Sequence, residues 1–423
     1  MQGITLTPMM RAIPMNAPIT TTTAPGTTDG TSSSRKSGND SMQLTIQQGD
    51  LAFGVARALG SVSSKSPLPL LSCILIEAGK DGLRLTGTDL DVTTTVRVPC
   101  DLEQPGRAAV SARHFNEVVR KMPKGPLTLS VENNQCVVRY GDGKGWSKFP
   151  TQDAADFPRI PELKAEATVS VGGDVVSRLV ARTAYAASTE ETRPQLNGVL
   201  LQGGDKQLLF VSTDGHRLSR ASRKGAFNGM GKDGVIIPSR ALQAVSRTAE
   251  EATSPLEIEI AAGRNQAGFS AQVGEYRVQI LTRLLEGPYP NYEQVIPKSN
   301  PHELFASRTE LIQAVDIVAS HADNVTRQVR FSLKKDGLGV SSATELGAGE
   351  QEIGARYGGD DMEIGYNAGY LLDILRSIPT EEVVFRLNTA LAAGVVEPVG
   401  ALPEQDEELL CLIMPLRLPD SAG

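Results

Sequence analysis

The sequence predicts an α+β protein built from three copies of one unit, and its internal repeats provide the main support. Three helix-like segments match one another, and they read VSARHFNEVVRKMP from Val110, IPSRALQAVSRTAE from Ile237 and YNAGYLLDILRSIP from Tyr366. Their starts lie 127 and 129 residues apart. Units this long have the size of domains with a core each, whereas solenoid repeats are shorter.

A second series of matches extends the repeat to strands and turns. At an offset of 125 residues, VARALGSV from Val55 matches VARTAYAA from Val180, and the turn GTDLD from Gly87 matches STDGH from Ser212. Strand-like runs alternate with one helix in each half-unit, which favours sheets on one side of the molecule and helices on the other. Six helices are predicted, at residues 48–62, 111–124, 172–188, 238–249, 307–322 and 367–379.

The repeat gives a division into three domains and two terminal extensions. Residues 1–41 are rich in Thr, Ser, Pro and Gly without periodicity, so we expect a disordered, low-complexity tail. The structured pattern begins at Met42, which leaves open whether this tail is a true extension or Met42 is the natural start. The three repeats occupy residues 42–164, 165–298 and 299–418, and a short extension covers 419–423.

The composition excludes several classes of protein. No run approaches the roughly 18 apolar residues that a membrane-spanning helix needs. The four cysteines are scattered without a C-x-x-C pair, which argues against a disulfide framework or a zinc site and favours a reducing cytoplasm. With four histidines in the chain, a histidine-built metal site has few ligands, so we expect neither metal nor cofactor.

Charge is distributed unevenly along this acidic chain. The formal net charge is −7, yet the six predicted helices together carry +5. In the helix at 111–124, Arg113 and Arg120 lie opposite the apolar stripe that contains Phe115. Arginines recur at matching positions in the other copies, and such a row could follow a phosphate backbone. Few aromatic residues are available for stacking on bases, so the pattern favours duplex contact without base readout.

The turn at Asp214 and His216 raises the alternative of an enzyme. Asp89 and Asp91, two residues apart on a strand-like run, could also form a carboxylate pair. However, Asp and Gly commonly close turns between strands. The turns GTDLD and STDGH are equivalent, yet only STDGH contains a histidine. No nucleophile motif or Gly-rich phosphate loop accompanies either pair, so we expect no catalytic residues.

Eight motifs in order carry a resemblance to a known family. They are PLPLLSCILIEA (67–78), LTGTDLDVTTTV (85–96), ADFP (155–158), LNGVLL (196–201), STDGHRLS (212–219), GPYPNYEQVIP (287–297), IGYNAGYLLDIL (364–375) and LIMPLRL (412–418). With them the chain resembles the bacterial replicative sliding clamp, the β subunit of DNA polymerase III. The resemblance implies three DNA-clamp domains per chain and two chains closing a six-domain ring, with helices inside and sheets outside.

The resemblance also implies the partners and the surfaces that meet them. Duplex DNA would pass through the ring without sequence preference, and the ring would tether the replicative polymerase α subunit in the nucleoid-associated cytoplasm. The implied DNA-facing residues are Arg57, Lys65, Arg113, Arg120, Lys121, Lys124, Arg178, Arg182, Arg240, Arg247 and Arg376. The interface of the homodimer would include Trp146, Phe149, Ser320 and His321.

A pocket for linear peptides of the polymerase, the clamp loader and other clamp-binding proteins is implied between the second and third domains. Carried over by position, its residues are Leu196, Thr213, Gly215, His216, Arg217, Leu218, Pro290, Val295, Asn367, Tyr370, Met414, Pro415, Leu416 and Arg417. Near them, Gln294 and Ala393 replace residues common in the family. A non-catalytic scaffold that binds peptides alone is the alternative function.

Overall fold

The computed structural model describes residues 41–63, 68–231, 233–345 and 347–418. Predictions for Lys65, for nearly all of the N-terminal tail and for 419–423 therefore lie outside the described residues. The elements of domain 1 are β1 (Met42–Gln47), α1 (Gln48–Leu59), β2 (Cys73–Gly79), β3 (Gly82–Thr88), β4 (Val92–Val98), β5 (Asp101–Gln104), β6 (Gly106–Ser111), α2 (Ala112–Lys121), β7 (Pro126–Glu132), β8 (Gln135–Tyr140) and β9 (Gly145–Gln152).

Domains 2 and 3 repeat this order of elements. Domain 2 contains β10 (Ala165–Val171), α3 (Gly173–Thr183), β11 (Gly198–Gly203), β12 (Gln207–Thr213), β13 (Arg217–Lys224), β14 (Val235–Pro238), α4 (Ser239–Glu250), β15 (Leu256–Ala261), β16 (Gln266–Val273) and β17 (Tyr276–Arg283). Domain 3 contains β18 (His302–Ser307), α5 (Arg308–Ala319), β19 (Gln328–Lys334), β20 (Gly337–Thr344), β21 (Gly347–Ile353), β22 (Ala355–Tyr357), β23 (Met362–Asn367), α6 (Ala368–Ser377), β24 (Glu382–Leu387), β25 (Gly394–Pro398) and β26 (Glu407–Ile413).

Each domain has a pair of helices and two antiparallel sheets of four strands, and β5 and β22 add a fifth edge strand to the first sheets of domains 1 and 3. The first sheets have the orders β1-β7-β8-β9, β10-β15-β16-β17 and β18-β24-β25-β26. The second sheets have the orders β6-β2-β3-β4, β14-β11-β12-β13 and β23-β19-β20-β21. The matching orders confirm the predicted threefold repeat and the α+β class.

The helices form where the sequence predicts them, and they pack their apolar stripes on the sheets. Phe115 and Val119 of α2, and Leu242 and Val245 of α4, are fully buried in the common core. Packing is closest at Gly87 of β3, where an added Cβ would lie 2.0 Å from a backbone oxygen of α1. Only glycine permits this approach of strand and helix.

Sheets continue from one domain into the next at two equivalent junctions. Strand β4 of domain 1 pairs with β17 of domain 2, placing Val92 opposite Thr282. Strand β13 of domain 2 pairs with β26 of domain 3, placing Arg217 opposite Ile413. Among the described strands, β21 pairs with β20 alone, and β9 pairs with β8 and only at its last residues with β6. One edge of β21 and most of one edge of β9 are therefore unpaired.

The described ranges contain neither a membrane-spanning helix nor a metal-binding cluster. No helix there is long and apolar enough to cross a membrane. No group of three or more His, Cys, Asp or Glu side chains in the same ranges is arranged to hold a metal ion.

Candidate functional sites

The turn between β12 and β13 is closed by its own polar side chains. The Asp214 Oδ1 atom accepts hydrogen bonds from the backbone N–H groups of His216 (2.8 Å) and Arg217 (3.0 Å). Gly215 has a φ of +93°, a conformation that favours glycine. In the equivalent turn of domain 1, Asp89 Oδ1 accepts hydrogen bonds in the same way from the backbone N–H groups of Asp91 and Val92. Both aspartates therefore close turns.

Arg217 joins this turn to domain 3. Its guanidinium donates from Nε to Asp214 (3.1 Å) and from Nη1 to Asp373 of α6 (2.6 Å). Nη2 donates to the backbone oxygen of Tyr185 at 2.7 Å, and the guanidinium lies 4.4 Å from the ring centroid of Tyr370. Because the side chain is only 9% exposed and each of its three nitrogens donates a hydrogen bond, Arg217 supports the wall of the cleft and presents little surface to a ligand.

The C-terminal segment lies along both domains beside the turn. The Met414 N–H donates to the His216 oxygen (2.8 Å), and the Leu416 N–H donates to the Gly365 oxygen (2.8 Å). The His216 and Tyr370 rings stack with centroids 6.2 Å apart. Burial, followed by the negative charge of Asp214, raises the pKa of Tyr370. The Tyr370 side chain is therefore the neutral phenol at this wall of the cleft.

The structure places the remaining cleft residues around this frame. Leu196 and Leu218 are buried beneath its surface, so they form a floor and not an exposed wall. Asn367 caps α6 by accepting a hydrogen bond from the Tyr370 N–H (3.1 Å). The side chains of Thr213, Pro290, Pro415 and Arg417 are exposed or half-buried.

Sequence reasoning missed several apolar residues of the cleft. Tyr292 packs in one cluster with Leu218 and Leu412, and Tyr289 borders that cluster. Leu391 is 63% exposed in the loop before β25, whose Ala393 packs on the same cluster. Val295 and Met414, which were predicted as cleft residues, are also exposed, at 56% and 41%. The sequence signal for Tyr289 and Tyr292 was that they form an aromatic pair in a Pro-rich connector. Nothing in the neighbouring sequence distinguishes Leu391.

The predicted DNA-facing residues differ in their freedom to contact a ligand. Arg113, Arg120, Lys124 and Arg247 are exposed, and no described carboxylate lies within ion-pair distance of them. Three other exposed cations have carboxylate partners: Lys121 with Glu117, Arg240 with Asp89 and Arg376 with Asp316.

Three of the predicted DNA-facing arginines are occupied in contacts between domains. Arg57 of α1 is 9% exposed and paired with Glu251. Arg182 is 6% exposed and bound to Glu404 and Glu407, which belong to the β25–β26 hairpin of domain 3. Arg178 also binds Glu407, and this hydrogen bond raises the pKa of its guanidinium. The burial of Arg57 and Arg182 by carboxylates distant in sequence does not fit the prediction that they face DNA. Arg178 is 27% exposed, and its charge is balanced by Asp174 and Glu407.

The expected dimer residues also divide into two groups. Trp146 is 60% exposed at the open edge of the sheet, and Ser320 is exposed at the end of α5. His321 is half-buried against Gly349 of β21. Phe149 is 2% exposed and packs edge-on against Phe115 in the core, so its assignment to a surface is wrong. Side chains alternate along a strand, which places Phe149 and Trp146 on opposite faces of β9.

Comparison with known proteins agrees with the fold. Models of the N-terminal, central and C-terminal domains of the DNA polymerase III beta subunit match residues 42–161, 170–291 and 293–417. Proteins named "Beta sliding clamp" from Synechocystis and Caulobacter vibrioides are 30% and 29% identical, each over 89% of this chain and 100% of their own length.

Solved structures give the same result. The Bartonella birtlesii sliding clamp, solved bound to griselimycin, superimposes with a TM-score of 0.83 at 28% identity, covering 89% of this chain and all of that one. The Bacillus subtilis clamp gives a TM-score of 0.80 with the same identity and coverage. This chain therefore belongs to the family of DNA polymerase III β subunits, the DNA sliding clamps that serve replication.

Proposed function

We propose that two copies of this chain close head to tail into a ring around duplex DNA and tether the replicative polymerase to it. The observation that carries this proposal is the pair of open edges on β9 and β21. At both junctions within the chain, the last strand of a first sheet pairs with the last strand of a second sheet. By the same rule, β21 of one copy would pair with β9 of another, and two such contacts close a ring of six domains.

Charges on the two open edges support their pairing. Lys148 on β9 and Glu350 and Glu352 on β21 are exposed, and none has an ion-pair partner within the described part of the chain. Similar pairs cross the junction between domains 2 and 3, where Lys224 lies 3.0 Å from Glu408. Opposite charges on facing strands favour one register of pairing.

The dimer is tested by light scattering over a range of protein concentrations. Replacing Glu350 and Glu352 by lysine is expected to weaken the dimer roughly fivefold per lost pair, the upper range for exposed ion pairs. Adding Lys148→Glu is expected to restore part of the affinity. Asp205→Lys, at an exposed position in the turn between β11 and β12 of domain 2, is the matched control. A dimer insensitive to all these changes would contradict pairing through this edge.

We propose that the cleft between domains 2 and 3 holds linear peptides of polymerases and other partners. Its apolar floor, its exposed Val295 and Met414, and the polar groups of His216 and Asn367 together suit a short peptide with apolar anchors. The Bartonella relative was solved with griselimycin bound, which is in line with ligand binding by clamps.

Fluorescence anisotropy with a labelled Gln-x-Leu-x-Phe peptide tests the cleft. The intact chain is expected to bind saturably, and a chain truncated before Met414 is expected to lose binding because it lacks one wall. Circular dichroism controls for the fold of the truncated chain. Equal binding by both chains would place the peptide elsewhere.

We infer that the protein has no catalytic role. Asp214 and Asp89 both have carboxylate oxygens bonded within their own turns, and the domain 1 turn has no histidine. Purified protein is expected to hydrolyse neither DNA nor nucleotides. A hydrolysis rate that His216→Ala abolishes, with the fold retained, would contradict this inference.

A further inference from the structure

We propose that the inner wall of the ring is divided into a basic half and a neutral half, and that α2 and α4 alone carry the contacts with DNA. This inference rests on the proposed ring and adds which helices the duplex approaches. It departs from an even row of arginines, which the sequence repeat suggests. The basis is the number of cations that remain without a carboxylate partner on each helix.

The contacts between elements give the order of the helices along the wall. Each domain packs its two helices together, as α1 with α2, α3 with α4 and α5 with α6. Between domains 1 and 2, Arg57 of α1 pairs with Glu251 at the end of α4. Between domains 2 and 3, α3 contacts α6. The order is therefore α2, α1, α4, α3, α6 and α5, after which α2 of the second copy follows.

The first half of this order presents unpaired cations. Arg113 and Arg120 of α2, with Lys124 just beyond its end, are exposed and distant from any described carboxylate. Arg247 of α4 is likewise exposed and distant from any described carboxylate. The acidic groups of α2 and α4 are Glu117, which pairs with Lys121, and the exposed Glu250. The excess of positive charge is large enough to attract phosphates across the hole.

On the described helices of the second half, no exposed arginine lacks a carboxylate partner. Arg178 and Arg182 of α3 are neutralised by Glu404 and Glu407 of the domain 3 hairpin. A further carboxylate, Asp174, binds Arg178 at 2.9 Å.

The helices of domain 3 also carry no excess of positive charge. Arg376 of α6 pairs with Asp316 of α5 at 3.1 Å. The Arg308 Nε atom of α5 donates to the backbone oxygen of Thr380 at 2.8 Å. Glu310 of α5 is exposed and has no cationic partner in the described structure. Arg308 has no carboxylate partner but is half-buried, so phosphates approaching the described helices of this arc would meet no exposed cation without a carboxylate partner. The duplex is therefore held towards the α2–α4 arc of either copy.

The test compares arginines of the two arcs for their effect on the salt dependence of DNA binding. The full chain is titrated against a fluorescent 30-base-pair duplex, and the slope of log affinity against log salt is measured. Each lost phosphate contact reduces this slope by about 0.9. Arg113→Gln, Arg120→Gln and Arg247→Gln together are expected to reduce it by about 2.7. The matched control, Arg308→Gln with Arg376→Gln, is expected to leave it unchanged.

The outcomes separate this inference from the proposed ring. Equal reductions for both sets, or a reduction for the control alone, would overturn the division of the wall. Salt-independent binding by the unmodified chain would also overturn it. Ring formation is measured separately, by trapping on circularised DNA, so failure there would reject the ring while the slopes still locate the DNA contacts.

Discussion

Arg217 holds the turn of domain 2 against α6 of domain 3, and its replacement by methionine tests whether this link maintains the cleft. Methionine keeps much of the length and the apolar contact with the neighbouring rings but removes the charge. The change deletes the hydrogen bonds to Asp214, to Asp373 and to the Tyr185 oxygen. It also deletes the cation–π contact with Tyr370.

The size of the effect follows from the burial of these partners. A hydrogen bond to a charged group contributes about 1.5–3 kcal/mol to stability. Asp373 is 41% exposed and regains water when Arg217 is lost, whereas Asp214 is 12% exposed and regains little. We therefore expect the free energy of unfolding to fall by about 3–4 kcal/mol, near the low end for breaking a buried pair.

Urea unfolding followed by far-UV circular dichroism measures this loss. Arg193→Met is the control, because Arg193 lies beside the same turn but is 42% exposed and paired with the exposed Glu190. It is expected to change stability far less. Affinity for the labelled peptide is also expected to fall at least about tenfold in Arg217→Met, since Tyr370 loses its support. A loss of stability equal to that of the control would refute the reasoning.

Three further predictions concern packing, pH and the cleft. Gly87→Ala is expected to cost about 2–3 kcal/mol in urea unfolding, because the new methyl group meets the backbone oxygen of Ala58. The Tyr276 hydroxyl donates to Asp50 at 2.7 Å, which raises the pKa of this phenol to about 12. Stability from this bond is complete below the unfolded pKa near 10 and is lost as pH rises towards about 12. Leu391→Ala is expected to weaken peptide binding about fivefold without changing stability, since Leu391 is largely exposed.

Each of these predictions has a control. Gly79→Ala introduces a methyl group with no neighbour within 4 Å, so equal losses for Gly79 and Gly87 would contradict the packing argument. Tyr276→Phe should remove part of the alkaline loss of stability, and an unchanged pH profile would reject the assignment. For the cleft, Leu68→Ala changes an exposed leucine in domain 1, and equal weakening by both leucine variants would count against a specific contact.

The repeat and the helix positions could be predicted from sequence because they depend on local patterns. Apolar residues at helical spacing mark α2 and α4, and both helices bury those residues in the core. The frame of the cleft was also predictable, since the Asp214 turn and the C-terminal segment each carry motifs of the family. Sequence reasoning correctly assigned Asp214 to a turn, because its counterpart Asp89 closes an equivalent one.

The errors came from contacts between residues distant in sequence. Arg178 and Arg182 have the same helical pattern as exposed arginines, and the carboxylates that bind them lie more than 220 residues later, at Glu404 and Glu407. The helical periodicity of the sequence cannot reveal such a contact. Phe149 is different, because strand alternation already places it opposite the exposed Trp146 face. A strand prediction at single-residue register would have excluded Phe149 from the interface.

Encirclement of DNA is the central claim, and a trapping experiment tests it most directly. Protein is incubated with linear duplex at high concentration, the ends are ligated, and retention is measured by gel filtration at high salt. If the ring encircles DNA, the protein is retained on the closed circle and released when a restriction enzyme cuts it, because the link is topological. Equal release from circular and linear DNA would contradict a ring closed around the duplex.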